Sequence, residues 1–332
     1  MKKVFSVLAM ACTCMLFQNC SKDASSTQDE MAKSSSVSSS IQNTLSYWTP
    51  QVSNSYSLLN SVFFVNNTTG WVTGYDGTIL KTTDGGNNWV AQSSGSTQPL
   101  ICAYFINKYE GWVVGASGII LHTKDGGATW HYQTSNTYQV LFGVHFTSAT
   151  TGYAVGGYGT ILKTTDGGAN WYFQNSGVPY NAFISVYFRD EMHGYASGDG
   201  GAMITTDDGG NTWTQQNPNV YTSLRRPVAL GKEACVVGDH GVVLVSNDNG
   251  VNWIPKKSGV TGNLLYCSFA DPLNAWAVGD GGTIITTTDA GRSWQPQASG
   301  TYNTLFSVCF PDSTHGWAVG YNGTILKYTP SN

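Results

Sequence analysis

Acidic side chains that recur at a fixed spacing are the first residues of this chain that could do chemistry. A T-x-D-x-G-x-x-W element, with serine replacing threonine once, places aspartates at Asp84, Asp125, Asp166, Asp208, Asp248 and Asp289. Carboxylates facing one cleft could act as general acid and base. In a glycine-rich turn, however, a short carboxylate accepts nearby backbone N–H bonds. We therefore predict that these six aspartates are structural; binding of a ligand or metal is the alternative.

A second group of polar and aromatic residues varies from one copy of the motif to the next. Tyrosines stand three residues before apolar strand-like runs, at Tyr56, Tyr138, Tyr180, Tyr221 and Tyr302. Short G-x-x-G turns add Tyr75, Asp76, Tyr158, Asp199, Asp239, His240, Asp280 and Tyr321. Tyrosines beside acidic groups can stack on sugars or hold an extended peptide. These residues are the ligand-binding candidates; the alternative is that the first five tyrosines fill the centre of the fold.

Signatures of catalysis are weak in this sequence. Asp239 and Asp280 are the one pair that we consider for hydrolysis, and no phosphate loop, HExxH, CxxC or nucleophile elbow occurs. We therefore predict no catalytic residue, no cofactor and no metal site. Beyond the N-terminal segment the cysteines lie in strand-like runs without CxxC spacing, which favours buried free thiols and leaves a disulfide open. They are Cys102, Cys235, Cys267 and Cys309.

The elements that would position these groups come from an internal repeat. Phrases such as GWVTGYDGTILKTTDGGNNW recur seven times, the last truncated, at intervals of about 41 residues. Each unit reads as four short strands punctuated by Gly and Asx turns, which is the pattern of a propeller blade. We predict an all-β fold over 46–332: a seven-bladed β-propeller with four antiparallel strands per blade.

Tryptophan spacing predicts how the ring closes. The seventh unit lacks a terminal Trp strand, whereas Trp48 precedes the first unit and extends the 41-residue ladder backwards. We expect residues 46–53 to supply the outer strand of the last blade. A second series of mostly large side chains is expected to pack between neighbouring blades. It comprises Trp71, Trp112, Tyr153, Tyr195, Cys235, Trp276 and Trp317.

Composition excludes several classes of protein. The 332 residues include 39 glycines, 13% aromatic residues and only 11% charged residues, where ~25% is ordinary. Abundant aromatic residues and a small net charge argue against disorder. The net charge of −4, without a basic stripe, argues against nucleic-acid binding.

The N-terminus reads as an export signal. Lys2 and Lys3 precede about 14 apolar residues, and the stretch ends at Cys20. This arrangement resembles the lipobox of bacterial lipoproteins, so we expect residues 1–19 to be removed and Cys20 to be lipidated; an ordinary signal peptide is the alternative. Residues 20–45 are Ser-rich and are expected to form a flexible tether.

The repeats resemble the photosystem II assembly and stability factor family, seven-bladed propellers that read G-W-A-V-G-x-x-G-T-I-L-x-T-x-D-G-G-x-x-W. That resemblance implies a non-enzymatic assembly factor, and photosynthetic members use an arginine-rich patch. This chain has only four arginines, so we expect a different partner, an envelope protein or peptide. The aspartate element also resembles the Asp-box of sialidases and xyloglucan hydrolases, which leaves a glycan-binding or glycan-hydrolysing propeller as the alternative. We expect an extracytoplasmic monomer that contacts the membrane only through its lipid.

Overall fold

Seven four-stranded antiparallel sheets form the fold of residues 47–330, which are the residues described by the computed structural model. The first strand of each sheet contacts the first strands of the two neighbouring sheets, and the last of these contacts closes the series into a ring. The predicted seven-bladed propeller is therefore confirmed. The predicted signal peptide (1–19), the tether (20–45) and Cys20 lie outside the described residues.

The strands are short and follow the chain blade by blade. Blade 1 comprises β2 (Leu59–Phe64), β3 (Gly70–Gly74), β4 (Ile79–Thr82) and β5 (Val90–Gln92); blade 2 comprises β6 (Leu100–Phe105), β7 (Gly111–Gly115), β8 (Ile120–Thr123) and β9 (His131–Gln133). Blade 3 comprises β10 (Leu141–Phe146), β11 (Gly152–Gly156), β12 (Ile161–Thr164) and β13 (Tyr172–Phe173); blade 4 comprises β14 (Phe183–Phe188), β15 (Gly194–Gly198), β16 (Met203–Thr206) and β17 (Thr214–Gln215). Blade 5 comprises β18 (Leu224–Leu230), β19 (Glu233–Gly238), β20 (Val243–Ser246) and β21 (Ile254–Lys256); blade 6 comprises β22 (Leu264–Phe269), β23 (Ala275–Gly279), β24 (Ile284–Thr287) and β25 (Gln295–Gln297). Blade 7 comprises β26 (Leu305–Asp312), β27 (His315–Gly320), β28 (Ile325–Tyr328) and β1 (Trp48–Gln51).

The first strand of the described chain completes the last blade. β1 pairs antiparallel with β28, with Trp48 opposite Tyr328 and Gln51 opposite Ile325. The Trp48 side chain is buried and meets Phe310 edge to face at 5.8 Å, as the Trp ladder does in other blades. The ring is therefore closed by hydrogen bonds between strands from the two ends of the described chain, as the Trp spacing predicts.

Aromatic stacking joins most neighbouring blades. Trp71 of blade 1 lies flat on Phe105 of blade 2, with ring centroids 3.6 Å apart, and Trp317 stacks on Phe64 in the same way. Each such pair stabilises the interface by about 0.5–1.5 kcal/mol beyond its buried area. Trp112, Tyr153 and Trp276 stack across their interfaces in the same way. Tyr195 and Cys235 take part in no such stack and instead pack in buried clusters with residues of the next blade.

A bulge at the start of every first strand faces the centre of the ring. The register shifts between Leu59 and Ser61, and at the equivalent position in each of the other six blades. Because a bulge places two residues opposite one, it aims an additional side chain into the centre. No helix within 47–330 is long and apolar enough to cross a membrane.

Candidate functional site

One end of the propeller, which we call the top face, is built from two kinds of segment. They are the loops that enter each first strand, such as 53–58, and the turns between second and third strands, such as 75–78. Hydrogen bonds join them: the Tyr75 amide donates to the Leu58 carbonyl at 2.9 Å, and the Gly77 amide donates to the Gln98 carbonyl of the next blade at 3.1 Å. Equivalent bonds from the Gly159 amide to the Asn181 carbonyl and from the Gly323 amide to the Ser57 carbonyl join two further pairs of blades.

Buried hydroxyl groups fix the loops that present the tyrosines. In blade 3 the Ser135 hydroxyl donates to the Thr137 carbonyl at 3.2 Å, and the Gln139 amide donates to the Thr137 hydroxyl at 3.1 Å. Between these bonds the side chain of Tyr138 points into solvent. A loop held in this way loses little further freedom when a ligand binds.

Five tyrosines are presented on the top face rather than in the centre of the ring. Between 88% and 95% of the surface of each residue is exposed, which contradicts the alternative that they fill the hub. They are Tyr56, Tyr138, Tyr180, Tyr221 and Tyr302. An exposed aromatic ring held by a rigid loop is suited to stacking on a ligand.

The adjoining turns hold their second residue in a left-handed conformation. Asp76, Tyr158 and His240 have φ of 56°, 53° and 59°, whereas glycine occupies this position in blades 4 and 6. The last glycine of each turn touches the next loop; a Cβ on Gly118 would lie 2.0 Å from the Thr137 carbonyl oxygen. The turns therefore set the position of the tyrosine loops.

Three of the candidate residues meet in one cleft between blades 3 and 4. Tyr158, Tyr180 and Asp199 line a space of about 270 Å³ whose inner wall is Phe142. The main-chain carbonyl of Asp199 accepts a hydrogen bond from the Asn181 side chain at 2.9 Å. The cleft offers two exposed rings and one exposed carboxylate to a ligand, and one oxygen of that carboxylate accepts a hydrogen bond from the Ser223 hydroxyl at 3.1 Å.

The remaining acidic candidates also accept hydrogen bonds from partners of their own. Arg225 forms a bidentate ion pair with Asp239, in which Nε donates to one carboxylate oxygen at 2.9 Å and Nη2 donates to the other at 3.1 Å. Asp76 accepts a hydrogen bond from the Ser57 hydroxyl at 3.2 Å, and Asp280 accepts one from the Asn263 amide at 3.4 Å. No hydrogen bond or ion pair within 47–330 links two of these carboxylates. Both carboxylate oxygens of Asp239 are therefore already engaged by Arg225.

The other candidates stand at the rim of the centre. Tyr75 and Tyr321 are each a little under half exposed, and the Tyr321 ring meets Phe306 edge to face at 4.9 Å. His240 is exposed, and its amide donates to the Asn263 side chain at 3.0 Å. Since Tyr75 and Phe306 also line the central channel, the tyrosines at the rim connect the top face to that channel.

The central channel is the region that the sequence did not point to. It has a volume of about 260 Å³ and is lined by the bulge residues of the seven first strands, including Arg225, Arg226 and Tyr266. Five blades have a small residue at the position equivalent to Arg226. Arg226 of blade 5 and Tyr266 of blade 6 are the two large side chains at this position. A large side chain at a position that is otherwise small is the sequence signal that could have pointed to the channel.

The six matched aspartates lie at the opposite end, the bottom face, in the turns between third and fourth strands. In blade 2 the Thr123 hydroxyl donates to Asp125 at 2.8 Å, and Asp125 accepts from the Thr129 amide at 2.8 Å. Hydrogen bonds from the Thr129 side chain and amide lower the pKa of Asp125 to about 2. Trp71 of the preceding blade donates its indole N–H to the Gly126 carbonyl at 3.1 Å. These contacts fit a structural role.

In the part of the chain that the structure describes, no three His, Cys, Asp or Glu side chains are close enough together to hold a metal ion. Cys102, Cys235, Cys267 and Cys309 are free thiols, as their spacing favoured. Burial raises the pKa of the Cys102 thiol, so it is not a ready nucleophile.

Fold and face together define a closed repeat propeller that presents exposed aromatic side chains at one end. Residues 41–135, 172–257 and 254–329 match the model of the family described as photosynthesis system II assembly factor YCF48. The chain belongs to that family. No curated protein sequence matches it.

Solved structures agree on the fold. The structure described as YCF48 bound to D1 peptide has a TM-score of 0.73 at 20% identity, over 86% of this chain and 97% of that one. YCF48 from Cyanidioschyzon merolae gives 0.70 at 22% identity, over 86% and 99%. The WD40 propeller domain of Doa1 gives 0.69 at 11% identity, over 86% and 98%. At these identities the likeness shows the fold alone.

Proposed function

We propose that this protein is a non-enzymatic scaffold that binds an extended peptide segment of a partner protein on its top face. The observation on which this rests is the cleft in which Tyr158, Tyr180 and Asp199 meet. Two rings and a carboxylate on hydrogen-bonded loops offer apolar contact and orientation to a peptide with polar or basic side chains. The family is described by an assembly role, and one similar propeller is described as bound to a peptide, which supports this class of partner.

The proposed setting is the cell envelope. The apolar N-terminal stretch that ends at Cys20 supports export and lipid anchoring, and the Ser-rich segment that follows would let the propeller reach a partner. Mass spectrometry of the mature N-terminus tests this: an acylated Cys20 supports lipid anchoring, an unmodified N-terminus created by cleavage nearby supports export without the lipid, and a retained N-terminal stretch contradicts export.

The function can be tested with peptides selected from a display library against the whole protein. Isothermal titration calorimetry of the selected peptides would compare wild type with Tyr180→Ala. Because aromatic anchors dominate such interfaces, we expect the dissociation constant to rise about tenfold or more.

Tyr172→Ala is the matched control, since Tyr172 is also an exposed tyrosine but lies on the outer strand of blade 3. Its affinity should equal that of wild type. The proposal would be contradicted if both variants lost the same amount of peptide affinity, or if Tyr180→Ala lost none. Oligosaccharides that bind wild type and are lost by Tyr180→Ala would instead favour the glycan alternative.

A further inference from the structure

The central channel holds a cation that has no counter-charge. Arg226 follows the bulge of β18, at the position occupied in blades 1 and 4 by Ser61 and Ser185. Its guanidinium makes no hydrogen bond or ion pair with any described residue, and its Nε atom is buried without a partner. The guanidinium lies over the Tyr266 ring, 4.4 Å from the centroid. It therefore borders the channel with unused hydrogen-bond donors.

The titratable groups that act on Arg226 are thiols, phenols and one imidazole, with no carboxylate among them. Besides Tyr266 they include Cys102, Cys267, Tyr187, Tyr104, His145 and Cys309. Burial, with Arg226 second, lowers the pKa of His145 to about 3, so this imidazole is uncharged. Burial raises the pKa of Tyr104 to about 12 and also raises that of the Cys102 thiol. Tyr104, Cys102 and His145 therefore supply no negative charge to Arg226.

The neighbouring arginine shows which partner is missing. Arg225 also lines the channel, and its guanidinium fork is filled by both carboxylate oxygens of Asp239. Arg226 has the same fork, with no carboxylate from the protein. A cation whose Nε is buried without a partner is costly, and a planar anion that accepts two parallel N–H bonds is the partner that removes this cost.

We propose that the central channel binds a small carboxylate on Arg226, with the carboxylate accepting hydrogen bonds from the guanidinium. The volume of about 260 Å³ admits a small organic acid or the end of a peptide, and Ser61 and Asn60 of the wall offer polar contacts. This site goes beyond the proposed peptide surface, because it lies inside the ring and recognises charge rather than apolar area.

Arginine Nε–Hε resonances provide a direct test, since the chain has only four arginines. The protein, labelled with ¹⁵N-arginine, would be titrated with sodium formate and with sodium acetate, with sodium chloride holding the ionic strength constant. We expect one resonance to shift and saturate, and to be missing from the spectrum of Arg226→Gln. Arg292→Gln is the matched control, because Arg292 is an exposed arginine of a bottom-face turn, and it should keep the saturable shift.

Acetyl-glycylglycine and its C-terminal amide distinguish a free acid from a peptide carboxylate. Saturation by formate or acetate supports a free small acid as the ligand, and saturation by the peptide acid alone supports a peptide end. Resonances that shift in proportion to concentration, or not at all, with every probe would overturn the proposal.

Arg226→Lys provides a second readout if Arg226→Gln does not fold. Lysine keeps the charge but lacks the bidentate fork. Formate should raise the melting temperature of wild type more than that of Arg226→Lys. Equal increases in the two proteins would also overturn the proposal.

Discussion

The two faces of this propeller use the same residue types for opposite purposes. On the bottom face, aspartates repeat in six blades with nearly the same bonds; the hydroxyl-to-carboxylate distance is 2.8 Å at Asp84 and 2.7 Å at Asp289. On the top face, aspartates are present in only some blades, and each has a different partner. Residues that are the same in every blade are therefore those that each blade needs in order to fold. Residues that vary between blades are those that can serve a function particular to this propeller.

Blade 5 departs from the repeat at more than one place. It replaces the bottom-end aromatic residue with Cys235, and its first strand brings Arg225 and Arg226 to the channel. Its first strand also carries Ala229 where the other blades have phenylalanine, so Tyr195 of blade 4 has no ring there to stack on. The Tyr195 hydroxyl still donates to the Asn249 carbonyl, as the Tyr153 hydroxyl does to the Gly209 carbonyl. The blade that departs most from the repeat is thus the one that introduces charge into the centre.

The largest expected contrast is between buried and exposed aromatic residues. Trp48→Ala removes a fully buried ring from the closing strand, so we expect a loss of about 3–5 kcal/mol in the free energy of unfolding. Tyr302→Ala removes an almost fully exposed ring of the top face and should change that free energy by less than about 0.5 kcal/mol. Urea denaturation followed by Trp fluorescence measures both. Similar losses in the two variants would refute the division between the faces.

A smaller contrast concerns hydroxyl groups. The buried Thr123 hydroxyl donates to Asp125 and accepts from the Gly127 amide at 2.8 Å, so Thr123→Val should cost about 1–3 kcal/mol. On the top face Ser57→Ala loses one exposed bond to Asp76, and we expect a change below about 0.5 kcal/mol. Thermal unfolding of both variants at one protein concentration provides the measurement. If Ser57→Ala costs as much as Thr123→Val, the top face is as structural as the bottom one.

Repetition is the reason that the fold could be predicted. Trp48 lies one repeat length before the next Trp of the fourth-strand series, which predicts that its segment is the closing strand. The prediction is possible because every repeat forms the same four-stranded sheet. The aspartate turns are local, so their role follows from seven consecutive residues. Both predictions required no knowledge of which blades touch.

The candidate site could be predicted only in part, because it depends on non-local geometry. The sequence indicates which residues vary, but the position of the Tyr138 loop depends on the turn of the preceding blade, whose Gly118 packs against the Thr137 carbonyl. The meeting of Tyr158 with Tyr180 needs the relative position of two blades. Arg226 was missed because its departure from the small residues of other blades gains meaning only once the bulge of β18 is seen to bring Arg225 and Arg226 to the channel.

The smallest expected effect separates stability from binding within the top face itself. Tyr158 has φ of 53°, a conformation that costs a residue with a Cβ about 1–2 kcal/mol, and glycine recovers part of this at an entropic cost of about 0.5–1 kcal/mol. Tyr158→Gly should therefore stabilise the protein by roughly 0.5–1 kcal/mol while weakening peptide binding. Ser117→Gly is the matched control, because Ser117 has φ of 55° at the equivalent turn of blade 2 and lies outside the cleft. It should melt higher with unchanged affinity. If both variants gain stability and neither loses binding, the strain at Tyr158 serves no ligand, and the site must be sought elsewhere on the ring.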